Sequence, residues 1–339
     1  MRYVLGCVHP ARKVTGGVFE PVEPPVEKPE EPTTPPSTED LLTININDEV
    51  MAVVGTQTWY DIAFGNGKYV AIGVMNARGY MTNSADGETW TTPAECSISQ
   101  GCYWTAITYA NGKFVAVGAS KYMGAGYITT SLNGVTWTEP QKLADIKALS
   151  GITYGNGKFV AVGSAGRITT SVNGTSWTAP TWFDLGHNMI DVVFGNDKFV
   201  AVGNSGSIGI STDAVNWTKT NVYNGFDVSK AVTYSNGLFV MVGYTSSYGY
   251  IATSQDGLTW TMRLKTEADA EANPRDYQIN WCDVIFNNGT FIAVGYKAYN
   301  RGSYVTTSSD GITWTTPVQL TDENGVGITA NINGIFPMQ

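Results

Sequence analysis

KFVAVGASKYMGAGYITTSLNGVTW, residues 113–137, contains both of the signatures that recur along this chain. The first is an apolar run that ends in glycine, and it occurs six times, at 68–73, 113–118, 158–163, 198–203, 238–243 and 290–295. The second runs from serine to tryptophan and follows each apolar run, at 84–90, 131–137, 171–177, 211–217, 254–260 and 308–314. Because the tryptophans of successive copies are 40 to 54 residues apart, the pattern indicates a repeat architecture.

Each copy of the second signature predicts a tight turn. Its short polar side chain bonds nearby backbone N–H groups and its glycine takes a positive φ, as hairpin turns require. The aspartates at this turn are Asp86, Asp213, Asp256 and Asp310. The tryptophans begin the returning strand, and we expect them to be largely buried between sheets: Trp90, Trp137, Trp177, Trp217, Trp260 and Trp314.

A third element precedes each apolar run, as in WTAITYANGK at 104–113, and its Asn-Gly turn predicts another hairpin. The unit therefore has four strands, which we name a to d in chain order. A four-stranded meander cannot cover its own apolar faces, so repeated meanders predict an all-β propeller in which neighbouring blades cover each other.

The two ends of the chain predict how the ring closes. Residues 42–51 align with 128–137 as strands c and d, and residues 326–336 resemble 151–159 as strands a and b. Together they would form one shared blade that removes the free sheet edges. We therefore favour seven blades within a propeller domain at 41–339, with six blades and flanking strands as the alternative.

The second signature resembles the Asp-box of sialidase-like (BNR-type) propellers, whose usual form is Ser-x-Asp-x-Gly-x-Thr-Trp, although most copies here lack one spacer residue. The resemblance covers residues 42–337 and implies that the box aspartates are structural turn residues. It also implies a test for catalysis, since sialidase chemistry needs three arginines that clamp a carboxylate. The seven arginines do not fit this role, because Arg2 and Arg12 precede the propeller and the others mostly fall in predicted loops: Arg78, Arg167, Arg263, Arg275 and Arg301. We therefore expect no enzyme activity and no catalytic residues.

Composition excludes several partners. The net charge is −9 and the 20 Lys and Arg residues are scattered, so the basic stripe that nucleic acid requires is missing. His9 and His187 lie in unrelated segments and no cysteine pair has zinc-ligand spacing, so we expect no metal and no cofactor. No stretch reaches the ~20 apolar residues of a membrane span. Cys96 and Cys102 flank one loop, and whether they pair is left open.

The loops differ between the two faces of the predicted ring. The a–b and c–d turns are nearly identical in every unit, whereas the b–c and d–a segments vary, and variable loops on a rigid scaffold usually bind. The b–c loops are rich in tyrosine, which suits sugar and protein surfaces alike. Our candidate binding residues are Tyr122, Tyr127, Tyr248, Tyr296, Tyr299, Tyr304, Arg78, Lys121 and Arg301. The alternative is that these tyrosines only cover blade edges, and the role of the long 263–281 insertion is left open.

The N-terminal arm has two parts. Residues 20–40 hold seven of the 14 prolines and seven acidic residues, which is the composition of an extended linker. Residues 1–19 are too few to fold alone, so we expect them to be an anchor peptide. Its apolar residues would be buried against another chain: Tyr3, Val4, Leu5, Val8 and Val18.

Together these features favour a structural or display protein of a phage virion. The arm would bind other virion proteins of the capsid or tail, and the exposed propeller would bind a host glycan, a surface receptor or a protein. The opening residues are too short for a secretory signal, which agrees with a virion surface location. The alternatives are a bacterial surface or secreted carbohydrate-binding propeller and a glycan-processing enzyme. Whether the protein is a homo-oligomer within the assembly is left open.

Overall fold

The structure is a computed structural model, and it describes residues 3–8, 14–16, 48–52, 58–96, 101–122, 124–182, 186–221, 227–267, 278–297, 302–321, 327 and 331–337. The predicted linker at 20–40, Val18, Tyr299 and Arg301 lie outside these residues. Three strands precede the repeats, namely β1 (Tyr3–Val8), β2 (Val14–Gly16) and β3 (Asp48–Ala52).

Six four-stranded antiparallel sheets follow, and in each the order of strands in the sheet is their order in the chain. Blade 1 has β4 (Thr58–Gly65), β5 (Lys68–Met75), β6 (Arg78–Ser84) and β7 (Ala94–Glu95). Blade 2 has β8 (Cys102–Ala110), β9 (Lys113–Ser120), β10 (Gly126–Ser131) and β11 (Gln141–Leu143). Blade 3 has β12 (Leu149–Gly155), β13 (Lys158–Gly163), the 3-10 helix Ser164–Gly166, β14 (Arg167–Ser171) and β15 (Thr181–Trp182).

The second half repeats this plan. Blade 4 has β16 (Met189–Gly195), β17 (Lys198–Gly203), β18 (Ser207–Ser211) and β19 (Thr218–Asn221). Blade 5 has β20 (Val228–Ser235), β21 (Leu238–Tyr244), β22 (Tyr248–Ser254) and β23 (Thr261–Glu267). Blade 6 has β24 (Ile279–Asn287), β25 (Thr290–Lys297), β26 (Ser303–Ser308) and β27 (Val318–Gln319), and the described chain ends with β28 (Asn331–Pro337). The predicted four-stranded unit is confirmed.

The core lies between blades. Four successive side chains of strand b in blade 2, Phe114 to Val117, have no solvent exposure, so this strand is buried on both faces. Most apolar clusters of the described residues join two successive blades: Ile128 of blade 2, for example, packs with Leu149 and Phe159 of blade 3. Since each sheet covers its neighbour, the all-β propeller is confirmed.

The inner strands pack closely enough to require glycine. A Cβ atom on Gly65, at the end of β4, would clash with the ring of Tyr109 in the next blade. Gly155 has the same relation to Phe194. An aromatic ring of one inner strand therefore lies on the bare backbone of the strand before it.

The favoured count of seven blades is corrected to six. The terminal strands do share a four-stranded sheet, in the order β2-β3-β1-β28, and β28 contacts both β24 and β4. This terminal sheet is not a meander blade, because β1 pairs in parallel with β3 and antiparallel with β28. Among the described residues the C-terminus supplies one strand where we expected two, and β28 is joined there by Tyr3–Val8, within the predicted anchor peptide.

The box tryptophans are less buried than we expected. Trp90 is buried, but the other five are half-buried. Their rings pack beside the phenylalanine of strand b, with 6.4 Å between the ring centroids of Phe114 and Trp137. In Trp177 the indole N–H donates to the carbonyl of Gly174 at 3.1 Å. The indole therefore closes the outer end of an inter-blade cluster while one edge stays in water.

This arrangement predicts a ranking of core substitutions within blade 5. Phe239 has no solvent exposure, so Phe239→Ala should lower the free energy of unfolding by ~3–5 kcal/mol through the cavity it leaves. Trp260→Ala should cost roughly half as much, because less apolar surface is lost from a half-buried ring. Chemical denaturation measures both, and an equal or larger loss for Trp260→Ala would contradict this ranking.

Candidate functional site

The ring has two faces of different character. The a–b and c–d turns share the face that we call the turn face, where the Asn66 side chain donates to the carbonyl of Leu132 in the next blade at 3.3 Å. The b–c and d–a segments share the opposite face, which we call the loop face. Each strand a therefore starts at the loop face and ends at the turn face.

Each inner strand of the six blades carries a β-bulge near its loop-face end. A bulge leaves one residue without a ladder partner and redirects its side chain. The six bulge residues are structurally equivalent but chemically different: Tyr60, Thr105, Ser150, Ile190, Lys230 and Cys282. The fold repeats the backbone feature without repeating the side chain.

All six bulge residues line one cavity of about 330 Å³, which we call the channel cavity. The lining also includes Asp61, Asp191, Asp283, the alanines Ala106 and Ala231, and Tyr296 at the end of a strand b. Because residues from all six inner strands meet around it, the cavity is the loop-face end of the central channel.

Three aspartates occupy equivalent positions, one residue after the bulge in blades 1, 4 and 6. In Asp61, Oδ1 accepts the N–H of Ile62 at 2.8 Å and Oδ2 accepts the N–H of Ile107 in blade 2 at 2.7 Å. Asp191 makes the same pair of bonds, and its Oδ2 accepts the N–H of Val232 in blade 5 at 2.9 Å. Each carboxylate thus joins its blade to the next inner strand.

The third aspartate joins blade 6 to the terminal sheet. Asp283 accepts the N–H of Val284 at 2.8 Å and that of Ile335, in β28, at 2.9 Å. The bond to Ile335 spans the point where the last repeat meets the C-terminal strand. The aspartates therefore have a structural role as well as lining the cavity.

The channel raises the pKa of all three carboxyl groups. Burial raises the pKa of Asp283 to about 7, against the lowering effect of the Ile335 N–H, and the charge of Asp191 adds to the rise. Burial likewise raises the pKa of Asp191 to about 6. The pKa of Asp61 is raised well above its usual value by burial, with a contribution from the charge of Asp283.

The Cys282 thiol and the Tyr296 phenol are not nucleophiles near neutral pH. Burial raises the pKa of the Cys282 thiol to about 12, and the thiol donates to the carbonyl of Asn280 at 3.3 Å. Burial also raises the pKa of Tyr296 to about 12. The Lys230 ammonium group lies 5.8 Å from the centre of the Tyr244 ring. The cavity thus offers carboxyl groups, one ammonium group and phenol rings to a ligand.

The structure separates the tyrosines that the sequence grouped together. Tyr296 lines the channel cavity, and Tyr122 is 81% exposed on the b–c loop of blade 2. Tyr127, Tyr248 and Tyr304 are half-buried and pack against the inter-blade clusters, as in the alternative that they cover blade edges.

The predicted cations lie beside these aromatic and acidic groups. Lys121 has its ammonium group 5.4 Å from the centre of the Tyr122 ring. Arg78 forms an ion pair with Glu95 at 3.0 Å on the rim of blade 1. Of the sequence-predicted binding residues that the structure describes, Tyr296 alone lines the channel cavity.

Sequence reasoning missed the channel aspartates and the bulge residues. The available signal was an aspartate inside an otherwise apolar strand, as in WYDIAF at 59–64 and WCDVIF at 281–286. An isolated acidic residue in an apolar strand a has to face something other than the core. We also missed Trp182, which is 72% exposed with the Arg167 guanidinium 4.7 Å from the centre of its ring.

No disulfide bond involves Cys96, Cys102 or Cys282, so Cys96 and Cys102 do not pair. In the described part of the chain no group of His, Cys, Asp and Glu side chains is placed to hold a metal ion. No helix among the described residues is long and apolar enough to cross a membrane. Residues 268–277, most of the long insertion, lie outside the described residues.

Comparison with known proteins finds the fold alone. No protein-family model matches the sequence, and no curated protein matches it. A streptogramin B lyase superposes with a TM-score of 0.61 at 12% identity, covering 81% of this chain and 91% of the lyase. A catalytically inactive virginiamycin B lyase from Staphylococcus aureus, solved with quinupristin, gives 0.60 at 13% identity, covering 79% and 86%. YCF48 bound to a D1 peptide gives 0.50 at 16% identity, covering 74% and 80%. The chain has the β-propeller fold.

The expectation that the chain is not an enzyme is corrected. It rested on the absence of a sialidase-type arginine set, yet two of the similar propellers are lyases. The absence of one family's catalytic set therefore does not exclude catalysis on this fold. At 12–13% identity the similarity assigns no reaction to this chain.

The pKa shifts predict two opposite effects of pH on stability. Asp191 and Asp283 keep their protons to about pH 6 and 7 in the folded chain but lose them near pH 4 when unfolded. The folded state thus binds more protons between about pH 4 and 7, so their contribution to stability falls as pH rises through that window. Asp310 behaves oppositely: hydrogen bonds from the Thr313 and Ile312 N–H groups lower its pKa to about 2, so its contribution is lost as pH falls from 4 to 2.

Denaturation of Asp283→Ala and of the parent protein across this range should measure the first effect. Between pH 4 and 7 the free energy of unfolding should fall more for the parent than for the variant. This holds regardless of which protein is more stable at any single pH. Asp310→Ala is the matched control, and its difference from the parent should shrink below pH 4. Parallel curves for Asp283→Ala and the parent between pH 4 and 7 would contradict the raised pKa.

Proposed function

We propose that this chain is a ligand-binding display protein whose ring takes its ligand in the channel cavity and on the loop-face rim. One observation carries the proposal. At the bulge, six equivalent positions hold six different side chains that converge on one cavity, whereas the box on the turn face keeps its serine, its Asp or Asn and its tryptophan in every blade. A fold needs the repeated features, and a binding site for an asymmetric ligand needs the variable ones.

The turn face offers less to a ligand because its polar groups bond one another. In blade 1 the Ser84 hydroxyl donates to Asp86 Oδ1 at 2.8 Å, and that oxygen also accepts the N–H groups of Glu88 and Thr89. The same set recurs in blade 6 around Asp310. This repeated geometry supports assigning the chain to the Asp-box class of propellers.

We further propose that the ring is displayed on a phage virion, in the capsid or tail, and binds a host-surface glycan or receptor. The acidic, proline-rich segment at 20–40 supports this setting, since its composition suits a tether to other virion proteins. Two of the similar propellers were solved with a bound molecule, a peptide for YCF48 and quinupristin for the lyase. Peptide mapping of purified particles tests the setting, because a virion protein must be present there.

The position of β1 changes which part of the N-terminal arm we propose as the attachment to other proteins. Tyr3, Val4, Leu5 and Val8 belong to β1, whose backbone pairs with β28 and β3 of the same chain. Their backbone groups are thus used within the terminal sheet, so we assign the tether role to residues 20–40.

Binding to an array of bacterial surface polysaccharides tests the site. Substituting serine for both Lys230 and Tyr296 should weaken binding at least about tenfold, about 1.4 kcal/mol, because the cavity loses its ammonium group and a phenol ring. Lys219→Ser, which removes an exposed lysine from the outer strand β19, is the matched control and should bind as the parent does. Both variants should melt at nearly the parent temperature, and full binding by the cavity variant would place the site elsewhere.

A further inference from the structure

The turn face displays aliphatic side chains that the turns themselves do not need. The six exposed aliphatic side chains of the box turns have 45% to 69% of their surface in solvent, and they are Leu132, Val135, Val172, Val215, Leu258 and Ile312. Every blade from 2 to 6 contributes at least one, whereas blade 1 has Ala85 and Glu88 at these positions. Single exposed apolar residues are ordinary, but here five consecutive blades each carry at least one in the same turn, and we call this set the apolar arc.

Box geometry does not explain this apolar arc. The turn is held by the serine hydroxyl, the Asp or Asn oxygen and backbone N–H groups, as around Asp256 in blade 5. The two variable box positions tolerate polar residues, since blade 3 has Thr175 where blade 4 has Val215. The aliphatic side chains at these positions are therefore not explained by the structure of the turn itself.

Charge is distributed unevenly around the same face. The a–b turn of one blade lies beside the box of the next, so that Lys158 Nζ donates to the carbonyl of Asp213 at 3.0 Å and Lys198 Nζ to that of Asp256 at 3.2 Å. In the boxes of blades 4 and 5 an aspartate and a lysine therefore lie together, and these two boxes are close to neutral.

The remaining boxes are not balanced in this way. Blades 2 and 3 have asparagine in the box, next to the a–b turns that carry Lys68 and Lys113, so these boxes are positive. In blade 6 the box has Asp310, and the neighbouring turn residue is the apolar Leu238, so this box is negative. The charge thus changes sign from blade 2 to blade 6.

We propose that the turn face is an interface between two copies of this chain, related by a two-fold axis that passes through blade 4. When two rings meet face to face about such an axis, the order of blades in one copy is reversed in the other. Blade 4 then faces blade 4, blade 3 faces blade 5, and blade 2 faces blade 6. Blade 1 faces the terminal sheet, which fills the sector between β24 and β4.

This arrangement satisfies both features of the turn face. Each blade of the apolar arc meets another blade of the arc: Leu132 and Val135 face Ile312, Val172 faces Leu258, and Val215 faces its own copy. The positive box of blade 2 meets the negative box of blade 6, and electrostatic complementarity of this kind fixes the register of an interface. Blade 1, the one repeat without an exposed aliphatic box residue larger than alanine, lies outside the paired arc.

The pairing leaves both loop faces open, so it does not depend on the proposed ligand. Two copies joined back to back would present two channel cavities, and a surface that displays repeated ligands would bind them with avidity.

Sedimentation velocity of the full chain over a range of protein concentrations tests the interface. The parent should show a monomer–dimer equilibrium, and Val215→Lys should weaken it at least about tenfold by bringing two lysines together at the axis. Trp182→Ser is the matched control, since it removes a more exposed apolar side chain from outside the turn face and should leave the equilibrium unchanged. A parent that is monomeric at every concentration, a dimer unaffected by Val215→Lys, or a dimer lost with Trp182→Ser would each overturn the proposal.

A charge exchange tests the axis. Lys68→Glu should weaken the dimer because it places a carboxylate opposite Asp310, and adding Ser309→Lys, in the exposed box of blade 6, should restore it. Ser309 is exposed and Lys68 is the half-buried first residue of β5, and thermal melting verifies that each variant is folded. Failure of Ser309→Lys to rescue Lys68→Glu would overturn the blade 2 to blade 6 pairing.

Discussion

Strand b is apolar on both faces, and the rest of the molecule depends on covering it. In blade 3 the residues from Phe159 to Val162 have no solvent exposure, which one four-stranded sheet cannot achieve alone. Each blade therefore needs a neighbour on both sides, and a ring is the arrangement that gives every blade two neighbours. The outer strands carry little of this burial, which agrees with lengths of only two residues in β7, β15 and β27.

Closure of the ring gives the inner strands two roles. Asp61, Asp191 and Asp283 bond the next inner strand through the backbone, and this use of a carboxylate requires a position that faces the channel. The cost is the burial of three carboxyl groups, which raises the pKa of each, and for Asp61 and Asp283 the charge of another channel aspartate adds to the rise. The bulge residues next to these aspartates share no such pattern of hydrogen bonds. It is the point at which side chains vary without changing the ring.

The sequence predicts most of the repeat and little of the channel. The Asn-Gly turns, the boxes and the apolar runs are local signals, and they located strands a, b and c of each blade. Strand d begins later than expected in several blades: in blade 2 it starts at Gln141, four residues after Trp137. The pairing of Tyr3–Val8 with Asn331–Pro337 has no local signal, because two segments from opposite ends of the chain meet only after the ring forms. Likewise, Tyr248 and Tyr296 occur in similar loops, but one is covered by a neighbouring blade and the other lines the channel cavity. Whether a loop tyrosine is covered or lines the cavity depends on packing between blades, and the sequence of a single repeat does not determine that packing.

We propose that the bulge side chains belong to the ligand site and that the fold does not need them. This proposal is tested most directly by the melting temperature of a variant in which the bulge residues Tyr60, Thr105, Ile190, Lys230 and Cys282 all become serine, as Ser150 already is. Serine keeps the hydroxyl with which Thr105 bonds the carbonyl of Leu149 at 2.8 Å. We expect a cooperative transition within a few degrees of the parent's melting temperature, because none of these side chains fills an inter-blade cluster. A collapsed or strongly lowered transition would show that the bulge residues hold the ring together, and would contradict the claim.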